Sequence, residues 1–81
     1  MRVQILYFAS LREALGQDAE TLDTLQPSIA ALRAELAARG GEWTRLASPR
    51  IRAARNQELT AETTLLAEGD EIAFFPPVTG G

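Results

Sequence analysis

The sequence predicts an α+β domain in which one main helix packs across one face of a mixed β-sheet. Apolar residues alternate with the period of a strand near both ends of the chain, whereas residues 28–39 have the period of a helix. The elements follow the order strand, strand, long helix and further strands within 81 residues, which is enough chain for one domain and one core.

The first strand is predicted over residues 2–9, which are rich in β-branched and aromatic side chains. Both of its faces are partly apolar, which is typical of a central strand covered on one side by the core and on the other by a local helix or a partner. The first face consists of Val3, Ile5 and Tyr7, and the second of Gln4, Leu6 and Phe8.

A short helix is predicted to follow the first strand. Ser10 and Glu13 have the spacing of a capping box, and Gly16 stands where a helix over residues 11–15 would need a left-handed end. Residues 19–25 alternate weakly and form a candidate second strand. It is expected to run antiparallel to the first, because the connection is too short for a crossover.

The main helix is predicted over residues 28–39, with Ser28 as its N-cap and the glycines at 40–41 as its end. Glu35 and Arg39 are expected to form an i,i+4 ion pair. The apolar stripe that covers the sheet consists of Ile29, Leu32 and Leu36.

The second half of the chain is predicted to be irregular over residues 42–50 and to form strands after that. Residues 51–59 hold a third strand with a turn at Asn56–Gln57. Residues 66–70 form a turn that leads into the last strand, residues 71–75. In this strand Ile72 and Phe74 face one way, and Ala73 and Phe75 the other.

The composition excludes several classes of chemistry. The chain has no cysteine and no histidine, so it cannot build Ser-His or Cys-His catalytic groups or thiolate metal sites. All eight basic residues are arginine, which removes lysine Schiff-base chemistry. The net charge of −3 and the scattered arginines argue against nucleic-acid binding. With no apolar run long enough for a membrane span, the sequence predicts a cytoplasmic protein without a membrane partner.

The acidic residues beside the last turn are the remaining candidate for a cation site. They are Glu68, Asp70 and Glu71. No ligand spacing accompanies them, so they are interpreted as a solvated turn face and no metal is expected.

After the last strand the chain reads Pro76, Pro77, Val78, Thr79, Gly80 and Gly81. Two prolines favour an extended course, and glycines have no side chain to prevent passage through a narrow channel. Fully extended, these six residues would carry the terminal carboxylate about 20 Å from the folded body. The pattern predicts a flexible tail, although a frayed terminus would have a similar composition.

Three segments carry a resemblance to a known family: ILYFASLRE at 5–13, LAEGDEIAFFPP at 66–77 and, most specifically, FFPPVTGG at 74–81. With these segments the chain resembles the small subunits of molybdopterin synthase, which are ubiquitin-like sulfur carriers. The resemblance implies a β-grasp fold, with residues 1–75 as the domain and residues 76–81 as a tail that carries the reactive carboxylate.

The resemblance also implies a reaction cycle and its partners. An adenylating enzyme would use ATP to activate the carboxylate of Gly81, next to Gly80, and a sulfurtransferase system would convert it to a thiocarboxylate. The tail would then insert into the large subunit of a heterotetramer of two small and two large subunits, where sulfur passes to cyclic pyranopterin monophosphate. The chain would bind no cofactor and would not be catalytic alone.

An exposed apolar patch on the sheet face opposite the main helix is implied as the docking site for both partners. The implied partner-binding residues are Phe75, Pro76, Pro77, Val78, Thr79, Leu59, Phe8 and Arg12. Phe8 and Leu11 have the alternative of packing locally against each other. Arg12 has the alternative of being solvated.

Three other functions remain open on the sequence. The chain could carry sulfur for another pathway such as thiamine thiazole synthesis, although those carriers usually lack the Phe-Phe-Pro-Pro segment. It could be a ubiquitin-like modifier joined to target lysines through Gly81, or an interaction domain with an incidental tail. Removal of the two terminal glycines would change nothing in the last case.

Overall fold

The computed structural model describes residues 1–77 and contains five strands, two α-helices and a 3₁₀ helix. In chain order the elements are β1 (Arg2–Tyr7), α1 (Ala9–Leu15), β2 (Ala19–Asp23), α2 (Ile29–Ala37), the 3₁₀ helix (Gly41–Ala47), β3 (Arg52–Arg55), β4 (Glu58–Leu59) and β5 (Glu71–Phe75). Among the described residues no helix has both the length and the apolar character needed to cross a membrane.

The strands form one mixed sheet in the order β2-β1-β5-β3-β4. The central strands β1 and β5 are parallel, whereas β2 pairs antiparallel with β1, and β3 pairs antiparallel with both β5 and β4. A sheet of this order, with a helix between its second and third strands, is the β-grasp arrangement. The predicted fold class is therefore confirmed.

The hydrophobic core lies between α2 and one face of the sheet. The alternation predicted for β1 is confirmed, because Val3, Ile5 and Tyr7 are all buried. The predicted helix stripe and the inward side chains of the last strand are buried in the same cluster: Ile29, Leu32, Leu36, Ile72 and Phe74. Within residues 1–77 no helix packs on the opposite sheet face, and we call it the open face.

Helix α2 is shorter than predicted, although its start is confirmed. The Ser28 hydroxyl accepts a hydrogen bond from the backbone N–H of Ala31 at 3.2 Å. At the other end the backbone N–H of Arg39 bonds to Leu36, and Gly40 takes a positive φ of 81°, so the chain has already left the helix. The regular helix therefore stops at Ala37.

The predicted ion pair between Glu35 and Arg39 is wrong. The Arg39 guanidinium reaches across to β2 and binds both carboxylate oxygens of Glu20, at 2.8 and 3.1 Å. Glu35 instead accepts a hydrogen bond from the Thr24 hydroxyl at 3.1 Å. Glu35 thus joins α2 to the chain before it, and Arg39 joins the segment after α2 to β2, so the two side chains do not pair with each other.

The predicted capping box of α1 is also wrong. The helix begins at Ala9, and no side chain caps it. The backbone N–H of Arg12 donates to the carbonyl of Phe8 at 3.2 Å, so Ser10 already lies within the first turn and cannot act as the N-cap. The predicted end is confirmed, because Gly16 has the left-handed φ of 73°.

The connection between β3 and β4 agrees with the prediction, whereas the segment before β3 does not. Asn56 and Gln57 have positive φ values of 50° and 73°, which is the geometry of a tight hairpin turn. The region predicted to be irregular contains the 3₁₀ helix, which covers one end of the core with the buried Leu46. Its short apolar stretch has too few residues to show a helical period in the sequence.

Asp70 is not part of a solvated turn face, which corrects the prediction for that residue. Its carboxylate is only 5% exposed and accepts hydrogen bonds from Arg55 at 2.7 Å, Asn56 at 3.1 Å and the backbone N–H of Ala67 at 2.8 Å. Burial alone would raise the pKa of Asp70, but these hydrogen bonds outweigh it and hold the pKa below its usual range. Asp70 therefore ties the β3–β4 hairpin to the start of β5.

Acid is expected to destabilise the fold through two carboxylates, Glu20 and Asp70. The pKa of Glu20 is also lowered: burial opposes the shift, but hydrogen bonds from Arg39 and Tyr7 outweigh it. A carboxylate whose pKa is lower in the folded state stabilises the protein above its unfolded pKa of about 4, and this stability is lost as pH falls through the folded pKa. The melting temperature should thus be nearly constant near neutral pH and should fall below about pH 5.

The measurement is thermal unfolding over a pH series, followed by the fluorescence of Trp43, the single tryptophan. The paired variants Glu20→Gln and Asp70→Asn should each be less stable at neutral pH and should lose less stability on acidification. Glu13→Gln, which changes an exposed carboxylate, is the control. An acid dependence in the Glu20 and Asp70 variants as steep as that of the unchanged protein would contradict this assignment.

Candidate partner-binding face and start of the tail

An apolar row crosses the whole open face of the sheet. Residues paired across neighbouring strands point to the same side, so the pairings place five side chains in line. From β2 to β4 they are Ala19, Leu6, Ala73, Ala54 and Leu59. Leu59, at the end of the row, is 68% exposed. The sheet thus presents small and apolar side chains where no helix covers it.

A second row lies next to the first, towards the end of β5. Phe8 extends β1 by one residue, because its backbone N–H donates to the carbonyl of Phe74 at 3.2 Å. Phe75 lies beside it on β5, and Arg52 of β3 is the direct partner of Phe75. Phe8 is 45% exposed and Phe75 is partly buried. Two aromatic rings and one guanidinium therefore adjoin the apolar row.

The open face thus contains the apolar residues that were expected to share it, namely Leu6, Phe8, Leu59 and Phe75. Leu11, by contrast, is buried in the core cluster, so Phe8 and Leu11 have different environments. Arg12, the other candidate on α1, is exposed. That these residues bind a partner stays a prediction.

The tail starts from the centre of the sheet, because β5 lies between β1 and β3. Phe74 and Ile72 anchor this strand in the core and are fully buried. Pro76, just beyond the strand, is partly buried beside a cavity of about 200 Å³, and Pro77 is exposed. The other residues lining the cavity are Ser10, Leu11, Arg45, Ser48 and Ile51.

The remaining candidate residues lie outside the described part of the chain. They are Val78, Thr79, Gly80 and Gly81. Their assigned roles, including those of the two terminal glycines, stay predictions based on the sequence.

A polar cluster on the helix side fixes the end of β1 just before Phe8. The Tyr7 hydroxyl donates to Glu20 at 2.7 Å, and Arg39 binds the same carboxylate. The Tyr7 ring meets Trp43 edge-on at 5.4 Å, and the Arg39 guanidinium lies 4.4 Å from the centre of the Trp43 ring. Burial, and then the bond to Glu20, raises the pKa of Tyr7 far above its usual value, so this phenol stays protonated.

Sequence reasoning missed both this cluster and the position of Arg52. The cluster joins four residues from β1, β2 and the chain around α2, and their contacts depend on how the helix crosses the sheet. Arg52 lies beside Phe75 only because β3 and β5 pair in one register. The sequence around Arg52 contains two further arginines, Arg50 and Arg55, and so did not single it out.

Comparisons with known proteins find matches that cover nearly the whole chain. The profile of the ThiS family matches residues 5–81. The molybdopterin synthase sulfur carrier subunit of Escherichia coli K12 is 42% identical over 80 residues, covering 98% of this chain and 99% of that protein.

Solved structures show the same fold. SAMP1, a small archaeal modifier protein from Haloferax volcanii, superposes with a TM-score of 0.83 at 26% identity, and the match covers 100% of both chains. In a complex of subunits 1 and 2 of the molybdopterin-converting factor from Helicobacter pylori, the matching chain has a TM-score of 0.72 at 26% identity and full coverage of both chains.

Proposed function

The chain belongs to the ThiS family, and on that premise we propose that it is the sulfur carrier subunit of a molybdopterin synthase, acting in molybdenum cofactor biosynthesis. The resemblance that the sequence carries is confirmed at the level of the family. One observation carries the function: a sulfur carrier subunit matches 98% of this chain, and the family match over residues 5–81 includes the FFPPVTGG segment at 74–81.

The reacting group in this proposal is the carboxylate of Gly81. With a reference pKa of about 3.5, an α-carboxylate is an anion at neutral pH and a poor electrophile. Its oxygen attacks the α-phosphate of ATP in an adenylating partner, which releases pyrophosphate and leaves an acyl-adenylate. Sulfide-level sulfur then displaces AMP from the carbonyl carbon, so a C–S bond forms as the C–O bond to AMP breaks. The resulting thiocarboxylate is a sulfur nucleophile that requires no cysteine.

Sulfur transfer to cyclic pyranopterin monophosphate takes place in the large subunit. Because a dithiolene contains two sulfur atoms, each product molecule requires two loaded carriers or two loadings. The acid, base and anion-binding groups come from the partner. This chain has no cysteine, histidine or lysine, and its single tyrosine donates its proton to Glu20 in a hydrogen bond. The chain is thus the sulfur-donating subunit and is not catalytic alone.

In this proposal two parts of the chain have separate roles. Residues 1–75 form the body that docks, and residues 76–81 form an extended tail that carries the carboxylate into the partner's site. A length of about 20 Å for six extended residues is enough to reach a site enclosed by another protein.

The docking surface in this proposal is the open face, including the apolar row and the neighbouring aromatic rings of Phe8 and Phe75. The apolar contacts are Phe8, Leu59 and Phe75, with Arg12 at the edge and Pro76, Pro77, Val78 and Thr79 along the channel. The Helicobacter pylori complex of subunits 1 and 2 supports a large subunit as the partner. We place the assembly, with two small and two large subunits, in the cytoplasm.

The fold match to SAMP1 favours one second candidate, a protein modifier. In that role the activated Gly81 would form an amide with a lysine of a target protein. With no lysine of its own, the chain could not extend itself into polymers through a side-chain amine.

The test incubates the protein with ATP, an adenylating partner and a sulfur source and reads the intact mass. Loading should add the difference between sulfur and oxygen, and the shift should map to the C-terminal peptide. Oxidation of Met1 or Trp43 gives a similar shift but maps to other peptides. Covalent conjugates formed when lysine-bearing target proteins are added, without a thiocarboxylate, would favour the modifier. No change in mass in either incubation would reject both functions.

Phe75 provides a test of the docking surface. Phe75→Asp should weaken association with the large subunit by about 2 kcal/mol or more, because aromatic side chains are frequent anchors of interface energy. Folding should stay nearly intact, since the side chain lies on the open face. The matched control is Leu25→Asp, since Leu25 is 93% exposed and belongs to the loop before α2.

The two properties are measured separately, binding by calorimetry and folding by urea denaturation. The control should change neither. If Phe75→Asp unfolds the protein and shows no separate binding defect, Phe75 belongs to the core and the assigned surface is incorrect.

A further inference from the structure

The arginines of this chain fall into two groups. Five form ion pairs with carboxylates of the chain, and these are Arg2, Arg33, Arg39, Arg45 and Arg55. The other three are Arg12, Arg50 and Arg52, which are exposed and have no carboxylate partner within residues 1–77. Exposed arginines are commonly solvated, so what distinguishes these three is their position in the fold.

The three unpaired arginines lie at the end of the sheet where the tail starts. Arg52 is the direct partner of Phe75, the last residue of β5. Arg50 stands between Ser48 and Ile51, which line the cavity beside Pro76. Arg12 follows Leu11, which lines the same cavity. We call Arg12, Arg50 and Arg52 the arginine rim.

The other end of the open face carries carboxylates. Glu71 begins β5 beside Gln4, and Asp23 is paired with Arg2 at the start of β1. Glu68 is exposed on the preceding turn. The charge of the open face therefore changes from one end to the other. One end is acidic, the apolar row crosses the middle, and the end where the tail starts is cationic. Such a charge gradient orients a docking partner.

The arginine rim lies too far from the reaction to take part in it. Six residues in an extended chain span about 20 Å, which is much more than the length of an arginine side chain. When the tail is inserted, the guanidinium groups stay at the mouth of the channel. They meet the surface of the partner there, and they reach neither ATP nor the pterin.

Docking also changes the surroundings of Arg52 in particular. Because Arg52 shares a row with Phe75, a partner that covers Phe75 removes water from the Arg52 guanidinium as well. A desolvated charge without a counter-charge is strongly unfavourable. Glu62 lines a pocket together with Arg52, but both of its carboxylate oxygens already accept hydrogen bonds from Arg33, so it does not serve as the counter-charge. The partner has to supply it.

We propose that the arginine rim binds carboxylates around the channel mouth of the large subunit, with Arg52 as the central contact. Arginine suits this role because its planar guanidinium binds a carboxylate through two parallel hydrogen bonds. The contact orients the open face so that the tail points into the channel. This inference rests on the proposed function and specifies the chemistry of the partner surface.

The experiment measures the association rate constant with the large subunit over a salt series. Arg52→Gln should lower the rate constant several-fold at low salt and flatten its salt dependence, and Arg52→Glu should lower it by about tenfold or more. Arg50→Gln should act in the same direction. Arg2→Gln is the comparison variant, because it makes the same change in net charge on the same sheet face at the opposite end. It should change the rate constant much less than Arg52→Gln does.

A second readout separates docking from chemistry. Arg52→Gln should raise the KM for the carrier in dithiolene formation and leave kcat unchanged, since the rim does not reach the reacting atoms. Trp43 fluorescence and circular dichroism establish that each variant is folded.

Three other outcomes would contradict the role of the arginine rim, the identity of its partner or the proposed function. If Arg52→Gln and Arg2→Gln both behave as the unchanged protein, the arginine rim does not bind carboxylates, and the proposed function stands. If the effect of Arg52→Gln occurs with the adenylating enzyme but not with the large subunit, the assigned partner is wrong. If the unchanged protein binds no large subunit, the proposed function itself fails.

Discussion

Deletion of Gly81 is expected to abolish sulfur transfer and leave the fold unchanged. In the proposed function the reacting atom belongs to the last residue, so the loss of one residue withdraws the carboxylate by about 3.3 Å. A misplacement of about 1 Å in an enclosed site can already reduce a rate 10²-fold. All residues of the hydrophobic core lie between Val3 and Phe74, so the folded body does not depend on Gly81.

Two further variants test whether the length and bulk of the terminal residue determine the position of the carboxylate. One extra glycine after Gly81 should overshoot the reacting position and prevent adenylation. Gly81→Ala should load more slowly, because its added methyl group restricts passage and backbone freedom in a narrow channel. Loading is read by intact mass with ATP, the adenylating partner and a sulfur source, and dithiolene formation is read with the large subunit.

The control for this prediction is docking. The Gly81-deleted protein keeps the open face and should compete with the unchanged protein for the large subunit with little loss of affinity. If the deleted form still supports dithiolene formation, the sulfur carrier function is incorrect. If it fails to compete, the terminal residue contributes to docking as well as to chemistry.

The fold could be predicted because burial follows the period of each element. In β1 the alternate residues Val3 and Ile5 face the core, and in α2 Leu32 and Leu36 lie on one stripe. Such periodicity is a local property of the sequence. The last strand has the same alternation, so its inward and outward sides could be assigned before the structure was known.

Polar pairing could not be predicted in the same way. Glu35 and Arg39 have good helical spacing, but Arg39 finds Glu20, 19 positions away, where Tyr7 also donates to the carboxylate. Asp70 looked solvated in the sequence, yet it meets Arg55 from another strand. These choices depend on which elements the tertiary fold brings together, and neither propensity nor spacing contains that information.

In the candidate site, the apolar residues could be predicted from the sequence, whereas the neighbouring charged residue could not. The period-2 pattern was sufficient to place Phe8 and Phe75 on the open face. The adjacent Arg52 depends on the register between two strands 23 positions apart in the chain, which only the structure specifies.

Leu32→Ala is expected to remove much of the stability of the protein. Leu32 is 0% exposed and lies in the middle of the α2 stripe within the core cluster. Truncating a buried leucine loses its transfer free energy and leaves a cavity, which together cost about 2 to 5 kcal/mol. Small domains have only about 5 to 15 kcal/mol of total stability, so the melting temperature should fall by about 10 °C or more.

The matched control is Leu25→Ala, which removes the same atoms from a side chain that is 93% exposed. A surface truncation of this kind usually changes the free energy of unfolding by less than about 0.5 kcal/mol. Both variants are compared by urea denaturation followed by Trp43 fluorescence, because Trp43 packs against the core cluster and should report its loss. Equal denaturation midpoints for the two variants would show that α2 does not bury Leu32, and the assignment of the core face would then be incorrect.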